Sequence, residues 1–244
     1  MTSTVIIIPS RLKAKRLPNK PLKLIGGKEI ILHVYNLAVK SGAGEVLVTT
    51  PDKSISELIE KNGGKSFLSK DSHETGTDRV FEAFKDFYSK EPKIVINLQG
   101  DMPNLDPNSI LFLSNYLKKD LCDVATLASS LKNKTEIEDK NIVKVITNND
   151  IEKSGFSEAL DFKRTVDQTK NKFIYHHIGI YGFTSKALMR YVNLKRSKLE
   201  LERNLEQMRV LENNMSIHVG HIKSNPLGID TEKDFIDVKK IMEQ

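Results

Sequence analysis

Short β-branched runs alternate with stretches of helical spacing along the first half of the chain. The run Val5-Ile6-Ile7-Ile8 closes at Pro9 and is typical of a strand buried on both faces of a parallel sheet. Similar runs predict strands at 46–48 and 94–98, and helical spacing predicts helices at 29–41, 55–62 and 76–88. Alternating strands and helices predict an α/β, Rossmann-like domain with a mostly parallel central sheet.

The second half is less regular. A helix is predicted at 107–119, strands at 124–127, 142–146, 174–183 and 216–221, and a connecting loop at 136–141. Segment 148–172 is polar and carries charges of both signs, which predicts a mobile loop. Leu201, Leu205, Met208 and Leu211 lie at helical spacing and predict one helix over 199–214. Thr231 with Asp234 predicts a capping box that opens a final helix at 232–243.

Length and composition narrow the class of protein. The 244 residues suit one domain over 1–244, and 39% hydrophobic with 29% charged residues excludes a disordered chain, collagen or a coiled coil. The single cysteine, Cys122, cannot form an internal disulfide. No apolar run is long enough for a membrane span or a signal peptide. These features predict a cytoplasmic enzyme with no membrane partner.

The positive charge is concentrated near the N-terminus. The formal net charge is +6, and residues 1–28 contain seven basic residues and no acidic one, so the rest of the chain sums to −1. A generally basic surface made for nucleic acid is therefore not expected. The charge distribution instead predicts a local site for a small polyanion.

The basic loop 9–22 follows the first predicted strand, where open α/β sheets bind their ligands. It has no glycine before Gly26 and matches neither a Walker A motif nor a Rossmann fingerprint, so side chains would have to supply the phosphate donors. The alternative is a solvated run of charges.

Two carboxylates also follow predicted strands. Asp101 comes after Gly100 at the end of strand 94–98, and Asp230 precedes the final helix. Oxygen ligands of this kind suit Mg²⁺, which keeps waters and uses substrate phosphates. The alternatives are a helix cap for Asp101 and an ordinary loop acid for Asp230.

Two further polar segments leave their roles open. Thr75-Gly76-Thr77-Asp78-Arg79 fits either a helix cap or a nucleobase pocket. His176 and His177 would face opposite sides of a strand, which argues against their chelating one metal ion together.

Six motifs in register resemble the 3-deoxy-manno-octulosonate (Kdo) cytidylyltransferase family: PSRLKAKRLPNKPL, HETGTDR, NLQGDMP, HIGIYGF, LELERNLEQMRVL and GIDTEKDF. The resemblance covers nearly the whole chain. It implies a nucleotide-diphosphosugar transferase fold, a homodimer, and a sugar-binding and dimerisation extension at about 150–215. The implied reaction transfers CMP from CTP to the anomeric hydroxyl of Kdo with Mg²⁺, giving CMP-Kdo and pyrophosphate for lipopolysaccharide biosynthesis. No covalent protein nucleophile is needed.

The resemblance also implies roles at the matching positions. The triphosphate loop would use Arg11, Arg16 and Lys20, and the cytidine segment Thr75, Thr77 and Arg79. The sugar pocket would use Gln99, Arg164, His177, Tyr181, Glu206 and Gln207, and Gln99 also borders the nucleotide. Asp101 and Asp230 would bind the metal and, with Arg16 and Lys20, form the catalytic set.

The chain departs from the family pattern in three places. At 159–166 it reads ALDFKRTV, with Lys163 in place of a serine and no Ile-Pro, while Met102 replaces a glutamate and Asn19 a glycine. Asp161 could then pair with an ammonium group on the sugar or face water. Kdo is the expected substrate, and 8-amino-Kdo or a nonulosonate is the alternative.

A noncatalytic RNA-binding module is the alternative from another class. The basic segment lacks the interleaved aromatic residues on which RNA bases stack, so no nucleic-acid partner is expected.

Overall fold

The computed structural model describes residues 3–13, 16–73, 75–88, 90–167, 169 and 171–243. The strands in this part of the chain are β1 (Thr4–Pro9), β2 (Leu24–Ile25), β3 (Lys28–Glu29), β4 (Glu45–Thr50), β5 (Lys65–Leu68), β6 (Ile94–Leu98), β7 (Val124–Ser129), β8 (Lys144–Thr147), β9 (Phe156–Lys163), β10 (Ile174–Thr184) and β11 (Ile217–His221). The helices are α1 (Ile30–Lys40), α2 (Lys53–Lys61), α3 (Gly76–Phe87), α4 (Pro107–Leu117), α5 (Lys134–Glu138), α6 (Ile151–Ser154), α7 (Ser185–Val192), α8 (Lys198–Arg203), α9 (Met208–Glu212) and α10 (Glu232–Met242). None of these helices is long and apolar enough to cross a membrane.

The chain divides into two compact units. The first comprises residues 1–114 and 226–244, and the second comprises residues 115–225. The boundary falls within α4. The single domain expected over 1–244, with its extension at about 150–215, stays a prediction.

The first unit contains the predicted parallel sheet. β1 lies between β4 and β6, β5 pairs with β4, and all three pairings are parallel. Val5, Ile6, Ile7 and Ile8 have no exposed surface, which confirms a strand buried on both faces. The capping box predicted for the final helix is present, because Thr231 Oγ1 accepts from Asp234 N and the Asp234 carboxylate accepts from Thr231 N.

The second unit is built differently. β7 pairs with β11 in parallel and with β10 in antiparallel orientation. β9 lies between β11 and β8, and β8 also pairs with β10, all three pairings being antiparallel. Within this unit each of the five strands therefore pairs with two others, which leaves little free edge for unwanted pairing.

The prediction of a mobile loop at 148–172 is wrong for about half of the segment. Segment 151–163 instead forms α6 and the eight-residue strand β9. Ser157, Ala159 and Phe162 are buried on β9, while Glu158 is exposed and Asp161 and Lys163 are partly exposed, so polar residues between the buried ones hid the strand. Gln168 and Lys170 lie outside the described residues.

The prediction of a single helix over 199–214 is also wrong. α8 ends at Arg203, the next residue Asn204 has a left-handed φ of 52°, and α9 begins only at Met208. Asparagine tolerates this conformation better than most residues. The break places Glu200 of α8 beside Arg209 of α9. The loop predicted at 136–141 overlaps α5, whose start is capped by the Asn133 side chain.

Two departures from the family pattern have clear structural settings. Asn19 has φ 56°, a left-handed conformation that suits the glycine usual at this position and that asparagine also adopts. Met102, in place of a glutamate, is 5% exposed, so it is part of the apolar core.

Candidate active site

Lys20, Asp101 and Asp230 converge in the first unit, and we call them the Lys20 cluster. Asp101 follows β6 through Gly100, where an added Cβ would lie 3.2 Å from the Pro9 carbonyl oxygen. Ile229 N donates to the Asp101 carbonyl oxygen at 2.9 Å, which holds the two acidic loops together. Lys20 Nζ donates to Asp101 Oδ2 at 2.8 Å, Asp230 Oδ1 at 3.3 Å and the Ile229 carbonyl at 2.7 Å. Three oxygens from two distant segments therefore surround one cation.

The cluster keeps its charges paired. Burial works against the charged ammonium of Lys20, but Asp101 and Asp230 outweigh it and hold the Lys20 pKa above its usual value. Arg16 Nη2 lies 3.0 Å from Asp230 Oδ2 at the exposed side of the cluster. Among the residues that the structure describes, no three His, Cys, Asp or Glu side chains converge to hold a metal. Two carboxylates with a carbonyl are nevertheless hard oxygen donors that already hold a cation, which is the donor chemistry of Mg²⁺.

The basic loop is anchored by acidic residues elsewhere in the first unit. Leu12 N donates to Asp52 Oδ2 at 2.8 Å, and Lys13 Nζ pairs with Asp71 at 2.9 Å. Asp52 precedes the first residue of α2, but its side chain makes no capping bond to that helix. Arg11 is exposed. The Asp52 contact could not be read from the sequence, because forty positions separate it from Leu12.

The C-terminal helix also supports this loop. Leu17, Ile25 and Ile30 share an apolar cluster with Ile229 and Val238. Lys23 Nζ lies 3.0 Å from Glu232 Oε2, and Gly26 N donates to Glu243 Oε1 at 2.7 Å. The helix therefore holds both ends of the loop segment that follows Lys20.

The predicted cytidine segment begins α3. Thr75 and Asp78 form a capping box, so the helix-cap interpretation of this segment is confirmed. Thr77 Oγ1 accepts from Asn97 Nδ2 at 3.3 Å, and Asn97 Oδ1 accepts from Gln99 Nε2 at 3.0 Å. Asn97 thus links the start of α3 to the end of β6, a role signalled only by an amide within an apolar strand.

Arg79, in the first turn of α3, is buried. It is 3% exposed and donates to Ser69 Oγ and, at 2.8 Å, to the Lys70 carbonyl. Burial first, and the charge of Arg11 second, lower the pKa of Arg79. These contacts brace the β5–α3 connection, and the role of Arg79 toward cytidine stays a prediction.

In the second unit, His177 and Tyr181 come together on β10. The strand shifts register between Ile178 and Tyr181. His177 is 8% exposed, and its Nε2 lies 3.0 Å from Thr126 Oγ1. Burial, and then the neighbouring His176, lower the pKa of His177 to about 3, so its ring is neutral at physiological pH. Burial, and then the negative charge of Glu206, raise the pKa of Tyr181 well above its usual value.

Glu206 and Gln207 lie between α8 and α9, beside a buried ionic network. Arg209 holds Glu200 with two bonds, Nε to Oε2 at 2.7 Å and Nη2 to Oε1 at 2.6 Å. The Arg209 guanidinium also lies 4.4 Å from the centre of the Tyr191 ring, whose hydroxyl donates to the Glu206 carbonyl at 3.2 Å. Sequence reasoning missed this network, which we call the Glu200 cluster, because it predicted one continuous helix here.

The departure at 159–166 is explained by pairing within the chain. Asp161 pairs with Lys163 Nζ at 2.7 Å and with Arg203 Nη1. The Asp161 side chain is 22% exposed, and its pairing with an ammonium group on the sugar stays a prediction. Arg164 Nη1 donates to the carbonyls of Lys140 and Asn141 at 3.1 and 3.2 Å. Its role toward a sugar carboxylate stays a prediction.

Known proteins similar to the chain agree with one another. The cytidylyltransferase family model matches residues 5–217. The 3-deoxy-manno-octulosonate cytidylyltransferase of Bartonella tribocorum is 36% identical over 98% of both chains. The protein of the same name from Methylorubrum extorquens is 37% identical over 96% of this chain and 94% of its own.

A solved structure gives the same result. CMP:2-keto-3-deoxy-manno-octonic acid synthetase, solved in complex with CTP, superimposes with a TM-score of 0.88 at 33% identity, covering 99% of this chain and 98% of its own. With its six motifs in register and an α/β fold shared over nearly the full length, the chain belongs to the 3-deoxy-manno-octulosonate cytidylyltransferase family.

Proposed function

We propose that the chain transfers CMP from CTP to the anomeric hydroxyl of Kdo, giving CMP-Kdo and pyrophosphate for lipopolysaccharide biosynthesis. The names of the relatives and the CTP complex of the structural neighbour support the substrates. The observation that carries the chemistry is the convergence of Lys20, Asp101 and Asp230 at the end of a parallel sheet. Open α/β sheets bind their ligands at this edge.

The reaction needs positioning and charge neutralisation more than covalent chemistry. The sugar oxygen attacks the α-phosphorus of CTP, the bond to the bridging oxygen breaks, and pyrophosphate leaves with the electron pair. Arg11, Arg16 and Lys20 would bind the triphosphate, and their positive charges would offset charge on the phosphoryl oxygens. Because the sugar hydroxyl attacks the α-phosphorus directly in this reaction, no covalent protein nucleophile is needed.

Mg²⁺ is the proposed cofactor, held by Asp101 and Asp230 together with phosphate oxygens and water. Bound there, it would neutralise charge on the phosphates of CTP and orient them. The oxygen donors of the Lys20 cluster support this assignment because they already share one cation.

The sugar would be bound by residues of the second unit. We assign Arg164, His177, Tyr181, Glu206 and Gln207 to it, with Gln99 of the first unit bordering the nucleotide. Neutral His177 can donate a hydrogen bond to the sugar or accept one from it. Arg164 would give up its hydrogen bonds to two backbone carbonyls and bind the sugar carboxylate instead. The internal pairing of Asp161 removes the reason to favour an 8-amino sugar, so Kdo is the proposed substrate.

A homodimer in the cytoplasm, with no nucleic-acid partner, completes the proposal. Against an RNA-binding module stands the pairing of the basic segment with the chain's own acids. Lys13, Arg16, Lys20 and Lys23 each pair with an aspartate or glutamate. Four of the six basic residues that the structure describes in segment 1–28 therefore have acidic partners within the chain, which counts against a general nucleic-acid surface.

The test is pyrophosphate release from CTP with a panel of acidic sugars: Kdo, 8-amino-Kdo and a nonulosonate. We expect release with Kdo and none with CTP alone, and addition of a chelator should stop it. Arg16→Ala, with an exposed side chain, serves as the folded low-affinity control. Equal release without any sugar, or release only with a nonulosonate, would contradict the proposed substrate.

A further inference from the structure

Lys20 fills the position in which two carboxylates could share a metal ion. Its ammonium lies within 3.3 Å of one oxygen from Asp101 and one from Asp230, and it also donates a hydrogen bond to the Ile229 carbonyl oxygen. A divalent ion bound to the same oxygens would lie too close to this ammonium, because like charges at such a separation repel strongly in a partly buried site. Lys20 and the metal are therefore competitors for one set of ligands.

We propose that Lys20 is a built-in counter-ion that the metal displaces, so that the nucleotide-free chain binds divalent ions weakly and takes up metal together with the triphosphate. This rests on the proposed function. On arrival of the metal–CTP complex, the Lys20 ammonium exchanges its carboxylate partners for phosphate oxygens. Each charge keeps a partner of opposite sign, because the Asp101 and Asp230 carboxylates then bind the metal ion and the Lys20 ammonium then binds the phosphates.

The ammonium can move while its surroundings stay in place. Lys20 lies at the start of a 3-10 turn, and its backbone is held by bonds from Lys20 N to Leu17 O and from Lys23 N to Lys20 O, both 3.2 Å. Four methylene carbons, joined by rotatable bonds, separate that backbone from Nζ. The end of the side chain can therefore swing without disturbing the loop.

The carboxylates are fixed independently of Lys20. The bond from Ile229 N to the Asp101 carbonyl joins their loops, and Asp230 N donates to Asp234 Oδ2 at 3.1 Å in the capping box of α10. The Asp230 side chain is 51% exposed, which leaves room for an ion with its waters. Removing the ammonium should thus leave an acidic site in place.

The experiment measures Mn²⁺ binding to the full chain without nucleotide, by the electron paramagnetic resonance signal of free Mn²⁺. We compare the wild type with Lys20→Met and with Lys23→Met, whose ammonium pairs with Glu232 rather than with a predicted ligand. Lys20→Met should bind Mn²⁺ at least tenfold more tightly than the wild type, and Lys23→Met within about twofold of it. Lys20→Gln, which keeps a hydrogen-bond donor without the charge, serves as the second variant if Lys20→Met does not fold.

A second arm tests the exchange itself. A CTP analogue with a methylene bridge between the α- and β-phosphates should raise Mn²⁺ affinity far more in the wild type than in Lys20→Met, because only the wild type must displace an ammonium. Adding Asp101→Asn to Lys20→Met should abolish the gained affinity.

The possible failures are distinct. Unchanged or weaker Mn²⁺ binding in both Lys20 variants would overturn the exchange while leaving a metal-dependent transferase. No Mn²⁺ binding by the wild type even with the analogue would overturn the metal assignment and the exchange together. Turnover unaffected by a chelator would overturn the metal assignment, and with it the exchange, while leaving the CMP transfer itself in place.

Discussion

The Lys20 cluster of the first unit and the Glu200 cluster of the second each place carboxylates within hydrogen-bond distance of basic groups, but they differ in exposure and in partners. Asp230 is 51% exposed and Lys20 15%, whereas Glu200 is 0% and Arg209 4% exposed. Lys20 is a flexible point charge, while Arg209 holds Glu200 through two bonds in a fixed fork.

This difference separates a site that can exchange ions from a site that cannot. Water and incoming ligands can reach Asp230, so the pairs there can break at small cost. Breaking the Glu200 pair would leave a charge buried without a partner, which is among the more costly changes in a protein. Burial works against the Glu200 charge, but Arg209 and Arg196 outweigh it and hold the Glu200 pKa below its usual value. The first cluster is suited to binding and the second to holding Glu206 and Gln207 in place.

The largest effect expected is on stability in the second cluster. Glu200→Gln should lower the free energy of unfolding by about 3–5 kcal/mol, because Arg209 is left buried and only partly satisfied. Urea unfolding measures this. The matched control is Glu202→Gln on the same helix, whose exposed pair with Lys198 spans 3.8 Å and should contribute less than about 0.5 kcal/mol. Equal losses in the two variants would erase the distinction between the clusters.

The second largest effect is expected on kcat, when the carboxylates of the Lys20 cluster are changed. Asp101→Asn and Asp230→Asn should each lower kcat about 100-fold, or about 2.7 kcal/mol, because each removes a charged ligand of the same ion. The double variant should be scarcely worse than either single one. Steady-state kinetics measure this, with Glu232→Gln as a nearby acidic control. Losses that add in the double variant would mean two independent roles.

The buried groups of the second unit should also respond to acid. The His177 pKa is lowered from 6.5 to about 3, so below pH 6.5 the unfolded chain binds a proton that the native chain does not. This stabilising contribution is complete above pH 6.5 and is lost as pH falls toward 3, at about 1.36 kcal/mol per pH unit. Between pH 7 and pH 5, His177→Asn should lose about 2 kcal/mol less unfolding free energy than the wild type. If the unfolding free energies of the wild type and His177→Asn, measured in urea, fall in parallel with pH, His177 is not responsible for the loss of stability in acid.

The smallest effect is expected at Asp161, which lies between the two extremes of exposure. Although burial works against its charge, hydrogen bonds from Lys163 and Arg203 hold the Asp161 pKa below its usual value. Arg203 also donates to the Phe162 carbonyl at 2.9 Å and keeps that partner when Asp161 is changed. Asp161→Asn should therefore alter the ratio of kcat/KM for Kdo and 8-amino-Kdo by less than about threefold.

Glu158→Gln on the exposed face of the same strand is the control. A preference for the amino sugar that disappears in Asp161→Asn alone would restore the role of Asp161 in choosing the substrate.

The regular elements of the first unit were predictable, while those of the second were much less so. In β1, β4 and β6 the apolar runs match strands buried in a parallel sheet, where neighbouring residues all need to be apolar. In β9 only three of the eight residues are buried, so its charges and polar residues concealed the strand. The break at Asn204 was missed because the leucine spacing continues across it, while the backbone turns to bring Glu200 to Arg209.

The site residues follow the same division. Motifs in register were sufficient to identify the family and to single out Lys20, Asp101 and Asp230, because these residues lie in loops between elements that local patterns reveal. Asp52, Asn97 and Glu200 were not found, since each acts on a residue distant in sequence or across a break in secondary structure.

The sequence by itself determined the alternation of elements, the early concentration of positive charge and the resemblance to a cytidylyltransferase family. Those properties depend on local propensity, on burial pattern and on residues read in order. Only the tertiary structure decided which charges neutralise one another. Lys20 meets Asp230 across 210 positions, and Asp161 meets Arg203 across 42. Coulomb energy depends on distance and burial in the folded chain, so the same formal charges become an exchangeable ion site in one unit and a fixed support in the other.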